Sequence, residues 1–169
     1  MKDRTKLVVF ASIIAIVVSC GLLAIPQFII PSGFKNPTLL NGYQFFFHLG
    51  GDNYNATYGA SSVSGLGIAC LVVMFLALAS YVLYKLSSAL VLLGGLLNVA
   101  SAIMFFAMSA SKDSVYGIKR NFVYVGWTNY VIGALLILTG LLSIYVAIRL
   151  FMKEKKQLSD KQSYSYLKK

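Results

Sequence analysis

The chain has 169 residues, room for one domain, but 58% of it is hydrophobic and only 12% is charged, against about 25% charged in soluble domains. That composition excludes an ordinary water-soluble fold. The charged side chains are gathered so as to leave uncharged windows at 7–34, 53–84, 86–111 and 121–148, each longer than the roughly 20 residues that cross a bilayer.

The first window opens after Met1-Lys-Asp-Arg-Thr-Lys6 and has the look of a secretory leader. Its apolar run continues to Ile30, well past the roughly 7–15 residues of a leader's apolar region, so it reads as an uncleaved membrane helix over 7–30. Pro26 and Pro31 mark its outer end, since each removes an amide donor. A long outer loop, 31–61, follows. Within it Gly50-Gly-Asp-Asn53 lies between Tyr43-Gln-Phe-Phe-Phe-His-Leu49 and Tyr54-Asn-Ala-Thr-Tyr58, which predicts a β-hairpin with Tyr43, Phe45, Phe47 and Leu49 on one face. A helix lying in the membrane interface is the competing reading of the same stretch.

The second and third helices are expected over 62–84 and 87–110, antiparallel neighbours because the turn at Lys85 is so short. Residues 111–122 form a shorter outer loop, and Val115–Tyr124 has the β-branched and aromatic content to add an outer strand. The fourth helix is expected over 123–152, with a basic cytoplasmic tail at 153–169, disordered or lying on the membrane. The expected architecture is therefore an all-α membrane protein, a single four-helix bundle with a small extracellular β-sheet formed by the outer loops.

Lys and Arg near the helix ends set orientation. Eleven fall on the side of the two termini and the Lys85 turn; four, Lys35, Lys112, Lys119 and Arg120, fall on the other. Both termini are thus expected in the cytoplasm, with localisation in a cell membrane. The net charge of +10 reads as this asymmetry plus attraction to anionic lipid headgroups, and not as nucleic-acid binding.

Helix association in lipid relies on close packing and polar contacts, which favours small residues at the seams. Gly126, Gly133, Gly140 and Ala147 recur at heptad spacing on the fourth helix. Ser87, Gly94 and Ser101 answer on the third, with Asn98 on the same side, placed to hydrogen-bond across the bundle. Gly65 and Ala69 add a small-xxx-small pair on the second, beside Cys70.

Catalytic signals are weak. No expected span contains an internal Asp, Glu or His, the residues that mark proton and ion pathways. His48, the only histidine, has no second metal ligand in its loop, and no phosphate loop, nucleophile elbow or paired carboxylates occur. No enzyme activity, metal or cofactor is expected. Cys20 and Cys70 lie at similar depth, so a disulfide is conceivable, although buried free thiols are common. Asn55-Ala-Thr57 is a glycosylation acceptor in a eukaryotic host.

A long first outer loop, a tight inner turn, a shorter second outer loop and an inner tail together resemble the claudin-like four-transmembrane superfamily. Ala24-Ile-Pro26-Gln-Phe28 is similar to the claudin exit from helix one. Tyr124-Val-Gly126-Trp127, preceded by Lys119-Arg120, is similar to the entry to helix four. The first loop departs from claudins in having neither the Gly-Leu-Trp element nor the Cys pair. The resemblance implies a helical bundle capped by an outer sheet, with a role in adhesion, barrier formation or membrane organisation.

The expected function is accordingly structural. A non-enzymatic membrane protein associates laterally, as a homo-oligomer or with a heterologous membrane protein. It meets its partner through Tyr43, Phe45, Phe46, Phe47, His48, Tyr54, Tyr58, Tyr116, Lys119 and Arg120, aromatic types being enriched at interfaces. The alternative is a small oligomeric channel, transporter or pore-forming subunit, or an auxiliary subunit of a larger complex. Asn98, Ser101, Thr128, Asn129 and Thr139 would then be the candidates for a polar path.

Overall fold

The computed structural model describes residues 2–32, 35–47, 65–110 and 124–166. In chain order these form α1 (Lys2–Leu22), β1 (Pro26–Ser32), β2 (Lys35–Asn41), α2 (Gly42–Phe47), α3 (Gly65–Val82), α4 (Ser88–Ala110), β3 (Tyr124–Val125) and α5 (Trp127–Tyr166). Four helices are long and apolar enough to cross a membrane, over Arg4–Leu22, Gly65–Val82, Ser88–Ala107 and Trp127–Gln157, as an integral membrane protein requires. Their outward faces are apolar. Phe10, Val72, Phe75, Leu96, Ile103 and Leu138 are among the exposed large side chains, which is where a lipid-facing surface differs from a water-facing one.

The first helix is shorter than expected. It stops at Leu22, and Leu23, Ala24 and Ile25 close a turn through amides donated to Ser19 O, Gly21 O and Leu22 O. Pro26 is the cause, because it lacks an N–H and pushes the residue before it out of helical geometry. The apolar residues that follow continue as β1. This strand pairs antiparallel with β2, Ile29 opposite Leu39 and Ile30 opposite Thr38, and with β3, Phe28 opposite Val125. The sheet order is β2-β1-β3. Pro26 begins its strand and Pro37 lies on the edge strand β2, both positions where a missing donor is tolerated.

The expected hairpin over 43–58 is replaced at its start by a helix. Residues 42–47 are helical because Asn41 and Gln44 cap each other: the Gln44 amide donates to Asn41 Oδ1 at 2.8 Å, and the Asn41 amide donates to Gln44 Oε1 at 3.1 Å. This reciprocal pair satisfies two otherwise free amide donors at once. Residues 48–58, the remainder of that expected hairpin, lie outside the described residues, as do 111–123; of the expected second outer strand only Tyr124 is described, paired in β3.

The last helix also differs from expectation. It continues without a break to Tyr166, taking in most of the sequence read as a tail. Lys153-Glu-Lys-Lys-Gln-Leu158 consists of residues with good helix propensity, so nothing in it ends the helix. At about 1.5 Å per residue the 40 residues of α5 extend about 60 Å, roughly twice the hydrocarbon thickness.

In the bundle, α5 packs most extensively on α4 and next on α1, α3 packs on α4, and α1 touches α3 only lightly. The sheet and α2 sit at the end of the bundle where α1 and α4 finish and α3 and α5 begin. The start of α1, the 83–87 turn and the part of α5 around Lys153 share the opposite end.

Candidate functional site

Three features of the described residues bear on function: a polar cluster inside the bundle, a cap fastened to one end, and cavities at the helix borders.

The polar cluster joins all four spanning helices. Asn98 of α4 donates through Nδ2 to Tyr81 OH of α3 at 3.4 Å and to Thr139 Oγ1 of α5 at 3.3 Å. Tyr81 OH donates onward to Ser143 Oγ of α5 at 2.9 Å, and the Ser143 hydroxyl lies 3.0 Å from that of Ser12 on α1. Every one of these side chains is buried. Spare hydroxyl protons return to the backbone, Ser143 to Thr139 O and Thr139 to Leu135 O. Away from water, such bonds give the four helices one relative rotation. Tyr81→Phe removes the central hydroxyl and keeps the ring. It is expected to lower bundle stability by about 0.6–2 kcal/mol, read as an earlier midpoint in a detergent unfolding titration.

Close packing surrounds this cluster, and it refines the stripe of small residues. Gly94 and Gly95 serve different neighbours. A Cβ on Gly94 would lie 2.8 Å from Tyr81 Cε1, so this glycine seats the tyrosine ring of α3. A Cβ on Gly95 would lie 2.9 Å from Gly140 O, and one on Gly140 would lie 2.9 Å from Gly95 O, so these two set the closest approach of α4 and α5. Gly133 faces the Phe106 ring. Ser101 is buried, its hydroxyl donating to Leu97 O. The seam therefore contains the predicted Gly94, Asn98, Ser101, Gly133 and Gly140, while Gly95, Tyr81, Ser143 and Ser12 were missed. The Gly94-Gly95 doublet was the available signal for the first of these.

The cap is held by buried groups. Gln27 of β1 is fully buried; its Nε2 donates to Leu22 O at 3.2 Å, while its carbonyl accepts from the Gly126 amide at 2.6 Å and from Asn129 Nδ2 at 3.3 Å. Thr128 Oγ1 donates to Pro26 O at 3.3 Å. Gly126 is needed here because a Cβ would lie 3.1 Å from Gln27 O. On the other side Tyr43 OH donates to Cys20 O at 2.8 Å, and the Gly42 amide donates to Leu23 O at 2.7 Å.

Of the side chains expected to meet a partner, Phe46 does the opposite. It is fully buried, its ring lying over Gly67 of α3 and edge-on to Phe105 of α4, with centroids 6.2 Å apart at 77°. A six-residue helix turns side chains through about 100° per residue, so adjacent aromatics cannot share a face. Tyr43 is half-buried and acts as an anchor, while Phe47 is 42% exposed. The Phe45 side chain and residues His48, Tyr54, Tyr58, Tyr116, Lys119 and Arg120 lie outside the described residues, as does Asn55.

The five polar residues considered for a conducting path are all buried and engaged. Asn98 and Thr139 belong to the cluster, Ser101 bonds its own helix, and Thr128 and Asn129 hold β1. Cys20 and Cys70 are free thiols, and Cys70 Sγ donates to Ser101 O at 3.4 Å.

Two cavities are prominent. One of about 420 Å³ opens between α1 and α3, lined by Ile16, Val17, Cys20, Leu71, Phe75 and Leu78, with Tyr43 and Phe47 at its end. The other, about 530 Å³, lies at the opposite end of the bundle among α1, the 83–87 turn, α4 and α5.

No protein-family model matches the sequence, and no curated protein matches it significantly.

Proposed function

We propose that this protein is a non-enzymatic four-pass membrane scaffold that holds a rigid extracellular cap for contact with a partner protein, its termini in the cytoplasm. The observation that carries this reading is the fastening of the cap. Buried Gln27 and Phe46 tie β1 and α2 to all four spanning helices, more rigidity than a mere connection between spans needs. Pre-ordered surfaces lose less entropy on association. Placement of the cap outside is supported by the eleven-to-four distribution of Lys and Arg.

Phe47 marks the surface concerned. It is exposed beside the mouth of the α1–α3 crevice, so a membrane partner touching the cap there also meets the flank of the bundle. A conducting path through one bundle gains no support from polar side chains that are buried and each hydrogen-bonded within the protein. An auxiliary subunit of a larger membrane complex remains within the scaffold reading, since it too works by contact.

The test is recovery of complexes in mild detergent from cells expressing the full chain or its F47S/Y54S/Y58S variant. Loss of a co-purifying protein from the variant, at unchanged thermal stability, is the expected result. Identical complexes from both forms would remove the proposal, and liposome ion flux abolished by Asn98→Leu in a folded protein would replace it with the channel reading.

A further inference from the structure

The cavity at the end carrying the termini combines cationic groups with an apolar wall. Lys6 comes from α1, Lys85 from the turn between α3 and α4, and Lys153 from α5, so three separate elements each bring one ammonium group to the same opening. Ser88 begins α4 there, and the positive end of that 23-residue helix adds to the field of the lysines. The Ser88 hydroxyl donates to Glu154 Oε2 at 3.3 Å, which places one of the described carboxylates at the edge of the cavity. Val91 and Leu150 supply the apolar wall. At about 530 Å³ the space lies within the range of roughly 300–1,000 Å³ typical of small-ligand sites.

These elements define the ligand by its chemistry. Three cations and a helix start call for a phosphate; apolar walls at the level where the spans leave the bilayer call for a phosphate attached to hydrocarbon. A soluble phosphate would gain nothing from Val91 and Leu150. We infer that this cavity is a binding site for the headgroup of one anionic glycerophospholipid, its phosphate among Lys6, Lys85 and Lys153 and its chains along the lower walls. This differs from diffuse attraction of a basic surface to a charged membrane, because the lysines converge from three elements that are fixed relative to one another by the bundle. The site stands whether or not the cap meets a partner.

A second, smaller space of about 100 Å³ lies nearby, lined by Arg4, Thr5, Tyr145, Val146 and Arg149. Arg149 is already engaged there, its guanidinium 5.2 Å from the centre of the Tyr145 ring. That makes Arg149, with the exposed Lys155 and Lys156, a suitable charge-matched control.

The experiment is native mass spectrometry of the full chain released from detergent after titration with phosphatidylglycerol or with phosphatidylcholine. Wild type is expected to retain one phosphatidylglycerol in preference to phosphatidylcholine. The K6Q/K85Q/K153Q variant should lose affinity by about fivefold per lysine removed, K6R/K85R/K153R should restore it, and R149Q/K155Q/K156Q should bind as wild type. Circular dichroism melting of each variant checks the fold, and the arginine triple reports on the site should the glutamine triple unfold. Equal losses in the two glutamine triples would reduce the effect to overall charge and overturn the site. Equal retention of phosphatidylcholine would overturn its phosphate chemistry. Displacement of the bound lipid by soluble glycerol phosphate at comparable concentration would reassign the cavity to a water-soluble phosphate.

Discussion

Replacing Phe46 by alanine is expected to cost about 3–5 kcal/mol, the usual penalty for emptying a buried aromatic site, and to free the cap from the bundle. The ring has no exposed surface and fills the space over Gly67 against Phe105. Its neighbours belong to α3 and α4, so their positions are set by the whole bundle and cannot close in on the gap. Thermal unfolding in detergent should show the loss, and limited proteolysis should cut within the β1–β2 region at conditions where wild type resists. Phe47→Ala, one residue along and 42% exposed, should stay within about 0.5 kcal/mol of wild type. A similar loss for both would mean that α2 is not anchored by Phe46.

Gly140→Val should separate α4 from α5. The added Cβ would lie 2.9 Å from Gly95 O and 2.8 Å from Val99 Cγ2, and a backbone oxygen can move only if its helix moves. Overpacking of this kind costs about 1–3 kcal/mol, with the upper end expected because the α4–α5 seam is the most extensive among the described elements. Gly95→Ala meets Gly140 O at 2.9 Å and should act in the same direction. Gly21 provides the contrast: nothing lies within 4 Å of its missing Cβ, so Gly21→Ala should be neutral or stabilising by about 0.5–1 kcal/mol through helix propensity. Unfolding midpoints for the three variants in one detergent decide the matter. Stability of Gly140→Val equal to wild type would sink the close-approach account.

The parts of this structure that the sequence makes legible are those where one force dominates. Uncharged length alone located α3 and α4 to within a few residues, because a backbone in lipid must satisfy its own hydrogen bonds and a helix does so locally. The end of α1 was hidden for the same reason: Leu23–Ile30 is as apolar as a span, and hydropathy does not distinguish strand from helix. There the deciding residue is Pro26, acting through Ile25. For α2 the aromatic run suggests a strand, while the deciding signal is the polar pair Asn41 and Gln44, the first just before the run and the second within it. Spacing likewise predicted that Gly94 lies at a seam without telling that it faces Tyr81 and that Gly95 carries the crossing with α5. A doublet of glycines can serve two neighbours, and only the positions of both helices say which serves which. Ser12 and Ser143 carry no distinguishing signal in sequence, because small residues are common in membrane helices and their roles depend on meeting across a sequence separation of 131 residues.

That long separation has a bearing on biosynthesis. The first span has most of its contacts with the last, and few with the span that follows it in the chain. The Gln27 carbonyl and the Asn129 side-chain amide that donates to it are separated by 102 residues in sequence, about 5–20 s of translation at ordinary rates. Through that interval Ser12 of α1 and Gln27 of β1 lack their distant partners, and β1 lacks β3. Of the four described spans the first to be made is thus completed last, and synthesis that stops after α4 leaves Ser12 without Ser143 and Gln27 without Asn129.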